Sequence, residues 1–239
     1  MSEADWKKNG EWRVAKFLIA GESVVFDVGA RTDDYLTLVN RDAIYHLFEP
    51  MEQHFRSLKR KVDSRQNVFL NQCALGLDDG FAMMFPDTES LSRREMTESM
   101  PVSVRIRRLD EYCEERKIAH IDFLKIDTEG HELDVLRGGE KMVRNSVSCI
   151  QFEYGGTYKD AGITLRQVFC FLGAGWYAYK ILPDRLSPVF RFRQNMEDYE
   201  YSNYLVSRYR MHRHLIAGNW LNKLMAFLHQ PVRVKPSDG

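Results

Sequence analysis

Five proton-handling side chains fall within eight positions of the stretch FLKIDTEGHELDVLRGG, residues 123–139: Asp127, Glu129, His131, Glu132 and Asp134. They directly follow an apolar run, where a buried strand opens into a helix. Two kinds of chemistry suit that place. A carboxylate or imidazole there can take the proton of a hydroxyl that is becoming a nucleophile, and the same acids can cap a helix start. His131 is the first candidate for a base, because a helix N-terminus disfavours imidazolium and keeps the ring able to accept a proton. Asp127 or Glu129 would orient it, or hold an ammonium or hydroxyl group of a ligand. Glu153, closing the next apolar run in QFEYGG, is either a second ligand for the acceptor or a strand-end charge. Lys125 lies inside its strand and reads as structural, with a stem long enough to bring an ammonium to the edge. Asp127 and Glu129 alone are too few to assign a metal.

A second constellation opens the chain's first strand. VVFDVGARTDDYL ends a buried run at Asp27 and places Gly29 at the turn, where a missing side chain lets a ligand approach the backbone. About 20 positions further on, the second strand ends at Glu49 in HLFEP, where an acid can accept both hydroxyls of a ribose. Dinucleotide and S-adenosyl-L-methionine sites share that clamp. A pyrophosphate needs several close-approach glycines, whereas GARTDD offers one, and Asp33 and Asp34 would repel it. A ligand carrying a sulfonium and an ammonium tolerates those acids, so S-adenosyl-L-methionine is the expected cofactor.

These residues need a scaffold of strands with their ends aligned. Apolar runs at 23–28, 43–48, 67–72, 121–126 and 147–153 alternate with helix-period segments, the rhythm of βαβ units and a parallel sheet. DDYLTLVN and MEQHFRSLKRKV read as crossover helices, and residues 3–20 as an amphipathic helix across a sheet edge, with Trp6, Trp12, Val14, Phe17 and Leu18 on its apolar side. FAMMF and VSVRIR read as strands, and the polar segment 86–100 between them as a mobile lid. After 153, a helix ending at glycine precedes WYAYKIL and SNYLVS, an antiparallel pair that would finish the sheet. The closing stretch carries Ala217, Trp220, Leu221, Leu224 and Leu228 on one helical stripe, a surface for the body of the protein or for a second copy.

The balance of 34 basic against 34 acidic side chains excludes a global field for nucleic acid, which is not expected as a partner despite Arg105, Arg107 and Arg108. Cys73, Cys113, Cys149 and Cys170 lack metal-ligand spacing and read as reduced thiols. Neither a signal peptide nor a membrane-spanning run is evident, so the expected location is cytoplasmic.

Taken in order, DVGA, HLFEP, FLNQCALG, RRLDEY and FLKIDTEGHELDVLRGG resemble the FkbM family of S-adenosylmethionine-dependent O-methyltransferases over roughly residues 23–155. The resemblance implies an α/β, Rossmann-like class I methyltransferase: a mostly parallel seven-stranded sheet, helices on both faces, and an antiparallel C-terminal strand pair. The chain reads as an N-terminal helical extension (1–21), a methyltransferase domain (22–208) and a C-terminal amphipathic helix and tail (209–239). The resemblance further implies that Asp27, Gly29, Ala30 and Glu49, with Arg31, Pro50 and Asp127 beside them, hold the methionine and ribose portions, and that Cys73 and Ala74 lie near the adenine. The loop departs from the family at Arg31, usually asparagine, and Asp33, usually glycine. The implied acceptor is a hydroxyl on a sugar, in a glycan or glycolipid, with Tyr154, Tyr158, Trp176, Tyr177 and Tyr179 available to stack on it. A polyketide-type acceptor and a non-catalytic cofactor-binding role are the alternatives.

Overall fold

In the computed structural model, the described residues are Trp6, 8–31, 39–86 and 100–216. The acids at 33 and 34, most of the first crossover segment, the lid interior at 87–99 and the apolar stripe at 217–228 lie outside them.

The apolar runs become strands β1 (Val24–Val28), β2 (Ile44–Phe48), β3 (Val68–Asn71), β7 (Ile121–Ile126) and β8 (Val147–Tyr154), all parallel. Antiparallel strands β9 (Tyr177–Ile181), β10 (Leu186–Val189) and β11 (Ser202–Ser207) complete one sheet in the order β10-β9-β11-β8-β7-β1-β2-β3. The sheet therefore has eight strands where seven were expected. The additional one, β10, is a short edge strand containing Pro188, whose missing N–H is tolerated only at an edge. VSVRIR leaves the main sheet: β6 (Val102–Arg107) pairs with β4 (Ala74–Leu75) and β5 (Gly80–Met84) in a separate three-stranded sheet.

Apolar side chains alternate along the strands, so two cores form, one on each face. Phe26, Phe48, Leu124, Ile126, Ile150 and Phe152 pack beneath α3 (Leu109–Arg116), α4 (Glu132–Gly138), α5 (Glu140–Asn145), α6 (Gly156–Ala161) and α7 (Leu165–Leu172). Val25, Tyr45, Leu47, Phe123, Cys149 and Leu205 pack beneath α1 (Glu11–Leu18), α2 (Glu52–Val62) and α8 (Arg213–Ile216). A Thr164–Gln167 capping box starts α7.

The first helix differs from the expectation for 3–20. It begins at Glu11, because Gly10 takes a left-handed φ of 101° and Asn9 Oδ1 accepts the Glu11 N–H at 3.0 Å. It lies across a sheet face, not an edge, with Val14, Ala15 and Glu11 buried and Phe17 half exposed. Cys73, Cys113, Cys149 and Cys170 are all unbridged. Among the described residues, no helix is long and apolar enough to cross a membrane.

Candidate active site

Strand register assembles the polar centre. Asp27 on β1 aligns with Lys125 on β7, Lys125 aligns with Gln151 on β8, and Glu153 aligns with Asn203 on β11. One side of the sheet's C-terminal edge thus carries a row of polar groups that are far apart in the chain. Lys125 Nζ donates to Asp127 Oδ2 at 3.1 Å and reaches Asp27 Oδ1 at 3.5 Å, a bridge between two strand ends that is buried at Lys125 and Asp27 and open at Asp127. The ammonium read as structural from the sequence belongs to the site.

Gly29 is required by packing as much as by any ligand. Its φ is +83°, and a Cβ there would stand 1.8 Å from the Asp127 carbonyl oxygen, so the ends of β1 and β7 meet only over a bare backbone. Beyond it, Arg31 N and Met51 N each donate to a Glu49 carboxylate oxygen at 2.7 Å. Those two amides hold Glu49, which is 4% exposed, in place on the wall of the site.

The turn after β7 is organised by Glu132. Its Oε1 accepts Thr128 N at 2.8 Å, Thr128 Oγ1 at 3.0 Å and Gly130 N at 3.4 Å, pinning the turn that presents Asp127 and Glu129. Glu132 is fully buried, and burial pushes its carboxyl up to about 7 against the lowering effect of those hydrogen bonds. Glu129 takes a left-handed φ of 53° in that turn. His131 is the residue before α4, and its Nδ1 lies 3.6 Å from Asp134 Oδ2. Asp134, one helical turn on, thus stands beside the imidazole, a neighbour that the sequence reading did not name. Burial, then the charges of Asp127, Glu129, Glu132 and Glu11, push the Glu153 carboxyl up to about 10, so it is protonated at neutral pH.

A cavity of about 390 Å³ opens over these strand ends, within the range of small-molecule sites. Gly29, Arg31, Glu49, Pro50, Ala74, Asp127, Glu129, His131 and Glu153 all line it. Asp27, Ala30 and Cys73 do not: Asp27 is buried against Lys125, while Ala30 and Cys73 pack into the two apolar cores behind the wall. Tyr154, Tyr158, Trp176 and Tyr179 are likewise core residues, and Tyr177 packs against the core, so none of the five stacks over the cavity. The aromatic side chains that do line it are Trp6 and Tyr201. Asp127, Glu129 and Glu153 each place a carboxylate oxygen within 4.8 Å of the others. Away from the cavity, Arg107 pairs with Glu115 at 2.6 Å and Arg108 with Glu111 at 3.3 Å.

The set suits an adenosyl cofactor: a held carboxylate for ribose at the end of β2, a glycine turn at the end of β1, and acids beyond them for a positively charged sulfur and ammonium. The family model for the Methyltransferase FkbM domain matches residues 27–201. A methyltransferase FkbM from Methylobacillus flagellatus KT superposes with a TM-score of 0.48 at 15% identity over 77% of this chain, which spans 43% of that protein's length. An rRNA methylase from Streptococcus thermophilus gives a TM-score of 0.50 at 12% identity, covering 84% of this chain and 95% of its own, a likeness of fold. A protein of Streptococcus mutans solved in complex with SAH gives 0.47 at 9% identity, covering 82% of this chain and 94% of its own. No curated protein matches the sequence. The chain belongs to the FkbM methyltransferase family, and its cofactor is S-adenosyl-L-methionine.

Proposed function

We propose that this chain is an O-methyltransferase whose acceptor is a hydroxyl of a sugar in a glycan or glycolipid. The observation that carries the reading is the single cavity that joins the Glu49 clamp to Asp127, Glu129, His131 and Glu153. The cofactor supplies a methyl group on a cationic sulfur, open to in-line attack by oxygen. The chain's own residues align that oxygen and handle its proton. His131 takes the proton as the C–O bond forms. Asp134, beside its Nδ1, holds the ring and stabilises the imidazolium that results. Protonated Glu153 donates a hydrogen bond to an acceptor oxygen, and Lys125 holds the Asp127 carboxylate in place. Trp6 offers a ring face for the apolar side of a sugar.

The test is transfer of labelled methyl from S-adenosylmethionine to glycosides with free hydroxyls, with RNA and small phenols as parallel acceptors. Label in an ether on the glycoside supports the reading, and label confined to RNA or phenol overturns it. In the same assay, Glu49→Ala should weaken cofactor binding by about 1.5–3 kcal/mol, the scale of a charged hydrogen bond, with activity partly restored by excess cofactor. Unchanged affinity by titration calorimetry removes the ribose-clamp assignment.

A further inference from the structure

Two residues of the cavity wall, Trp6 and Glu11, come from in front of the stretch matched by the family model. Glu11 is held there by construction. Its Oε1 accepts Gln151 Nε2 at 2.6 Å, its other oxygen accepts Asn9 Nδ2, and its side chain is almost wholly buried. Gly10 packs so tightly on the β9–β10 turn that a Cβ would stand 2.3 Å from the Leu182 carbonyl oxygen, and the Arg13 guanidinium donates to that same carbonyl at 3.2 Å. Val14 and Ala15 then seal the helix onto the sheet. Burial raises the Glu11 carboxyl above its ordinary value, and the charges of Asp127 and Asp27 add to the rise, while the charge of Lys125 and the Asn9 hydrogen bond work against it, so the charged form is the one that gains most from a cation beside it.

A buried carboxylate that faces acids is costly unless a cation repays it. Four carboxylates, from Glu11, Glu49, Asp127 and Glu129, line the cavity beside the protonated Glu153, against the cations of Arg31 and Lys125. Methyl transfer changes the charge of the occupant: S-adenosylmethionine carries a sulfonium, and S-adenosylhomocysteine carries a neutral thioether. We propose that Glu11 is an additional binding residue of the site, supplied by the N-terminal segment, which makes the cavity select the charged methyl donor over its neutral product. The selection favours loading of donor and release of product without strengthening the hold on either adenosine or methionine. This rests on the S-adenosylmethionine site described above.

Titration calorimetry with S-adenosylmethionine and, separately, S-adenosylhomocysteine tests it on the full chain, above neutral pH and at low salt. In Glu11→Gln, which keeps the shape and a hydrogen-bonding amide, donor affinity should fall roughly five- to tenfold while product affinity stays within about twofold, the signature of one lost charge in a partly shielded site. Glu11→Asp keeps the charge and should retain most of the wild-type preference. Thermal melting of the unliganded variants reports folding. A purely structural role would shift both affinities together, so an unchanged donor-to-product ratio in Glu11→Gln overturns the proposal. So does a Glu11→Asp ratio equal to that of Glu11→Gln. A wild-type chain that binds neither ligand would overturn the cofactor site itself, a result distinct from both.

Discussion

His131 and Glu153 face the same cavity but hold opposite protonation states in the mechanism, one accepting a proton and one keeping its own. If His131 takes the acceptor proton, His131→Ala should bind cofactor normally, unfold normally and lose about two to four orders of magnitude in turnover, the usual contribution of a positioned base. Turnover at saturating cofactor, read beside cofactor affinity, checks it; near-normal turnover in the variant would move the base to a carboxylate. Glu153 makes a stability prediction whose sign follows from linkage. Its carboxyl is raised from 4.5 to about 10, so between those values the folded chain keeps a proton that the unfolded chain releases. Its contribution to stability is complete below pH 4.5 and is lost as pH rises toward 10. Glu153→Gln should flatten that loss and raise the stability of the unliganded protein in mildly alkaline solution by on the order of 1–3 kcal/mol, while lowering turnover. Melting temperature against pH, with and without the substitution, is the measurement.

At the scale of elements, the site is a junction of strand ends, and its tightest point is the contact of β1 with β7. Asp127 N donates to the Val28 carbonyl at 2.9 Å, and Gly29 N donates to the Phe48 carbonyl at 3.0 Å, so neither backbone can retreat. Gly29→Ala puts a Cβ against the Asp127 carbonyl at a left-handed φ. It should cost more than about 2 kcal/mol, as steric overpacking at a fixed backbone does, and should displace Asp127 from the cavity. Urea denaturation reads the first effect and cofactor titration the second. A variant as stable as wild type would mean that the strand ends can part freely.

Over the whole molecule, acid sensitivity should arise away from the site. His46 is buried among Phe26, Phe69 and Tyr112, with its Nδ1 2.7 Å from the Tyr112 hydroxyl. Burial, then the charge of Arg116, lowers its pKa from 6.5 to about 4. The folded chain therefore refuses a proton that the unfolded chain accepts, and stability should fall as pH drops from 6.5 toward 4, by about 3 kcal/mol in total. His46→Phe should remove that part of the acid limb at a cost of roughly 1 kcal/mol for the lost hydrogen bond. Denaturant midpoints at several pH values decide it, and identical limbs in both proteins would assign the loss to other groups.

The sequence by itself determined the alternation of strands and helices, the residues at the strand ends, and the strand-turn-helix that carries Asp127, Glu129 and His131. These were legible because each depends on a local period or on neighbours along the chain: six residues of IDFLKI, a turn, then a helix start. Asp134 also carries a local signal, its spacing of three from His131 on a helix. Lys125 had only the reach of its stem, and Glu11, Trp6 and Tyr201 had none. Whether Lys125 meets Asp27 is decided by the register of β7 on β1, residues 98 apart in the chain. Whether Glu11 meets Gln151 is decided by where α1 settles on the sheet, 140 residues away in sequence. The edge strand β10 was hidden for a related reason, because Leu-Ser-Pro-Val forms a strand only with β9 there to pair with it. Local periodicity is written into the chain by side-chain alternation, whereas register and docking are settled by long-range packing, and the inner wall of this site belongs to the second kind.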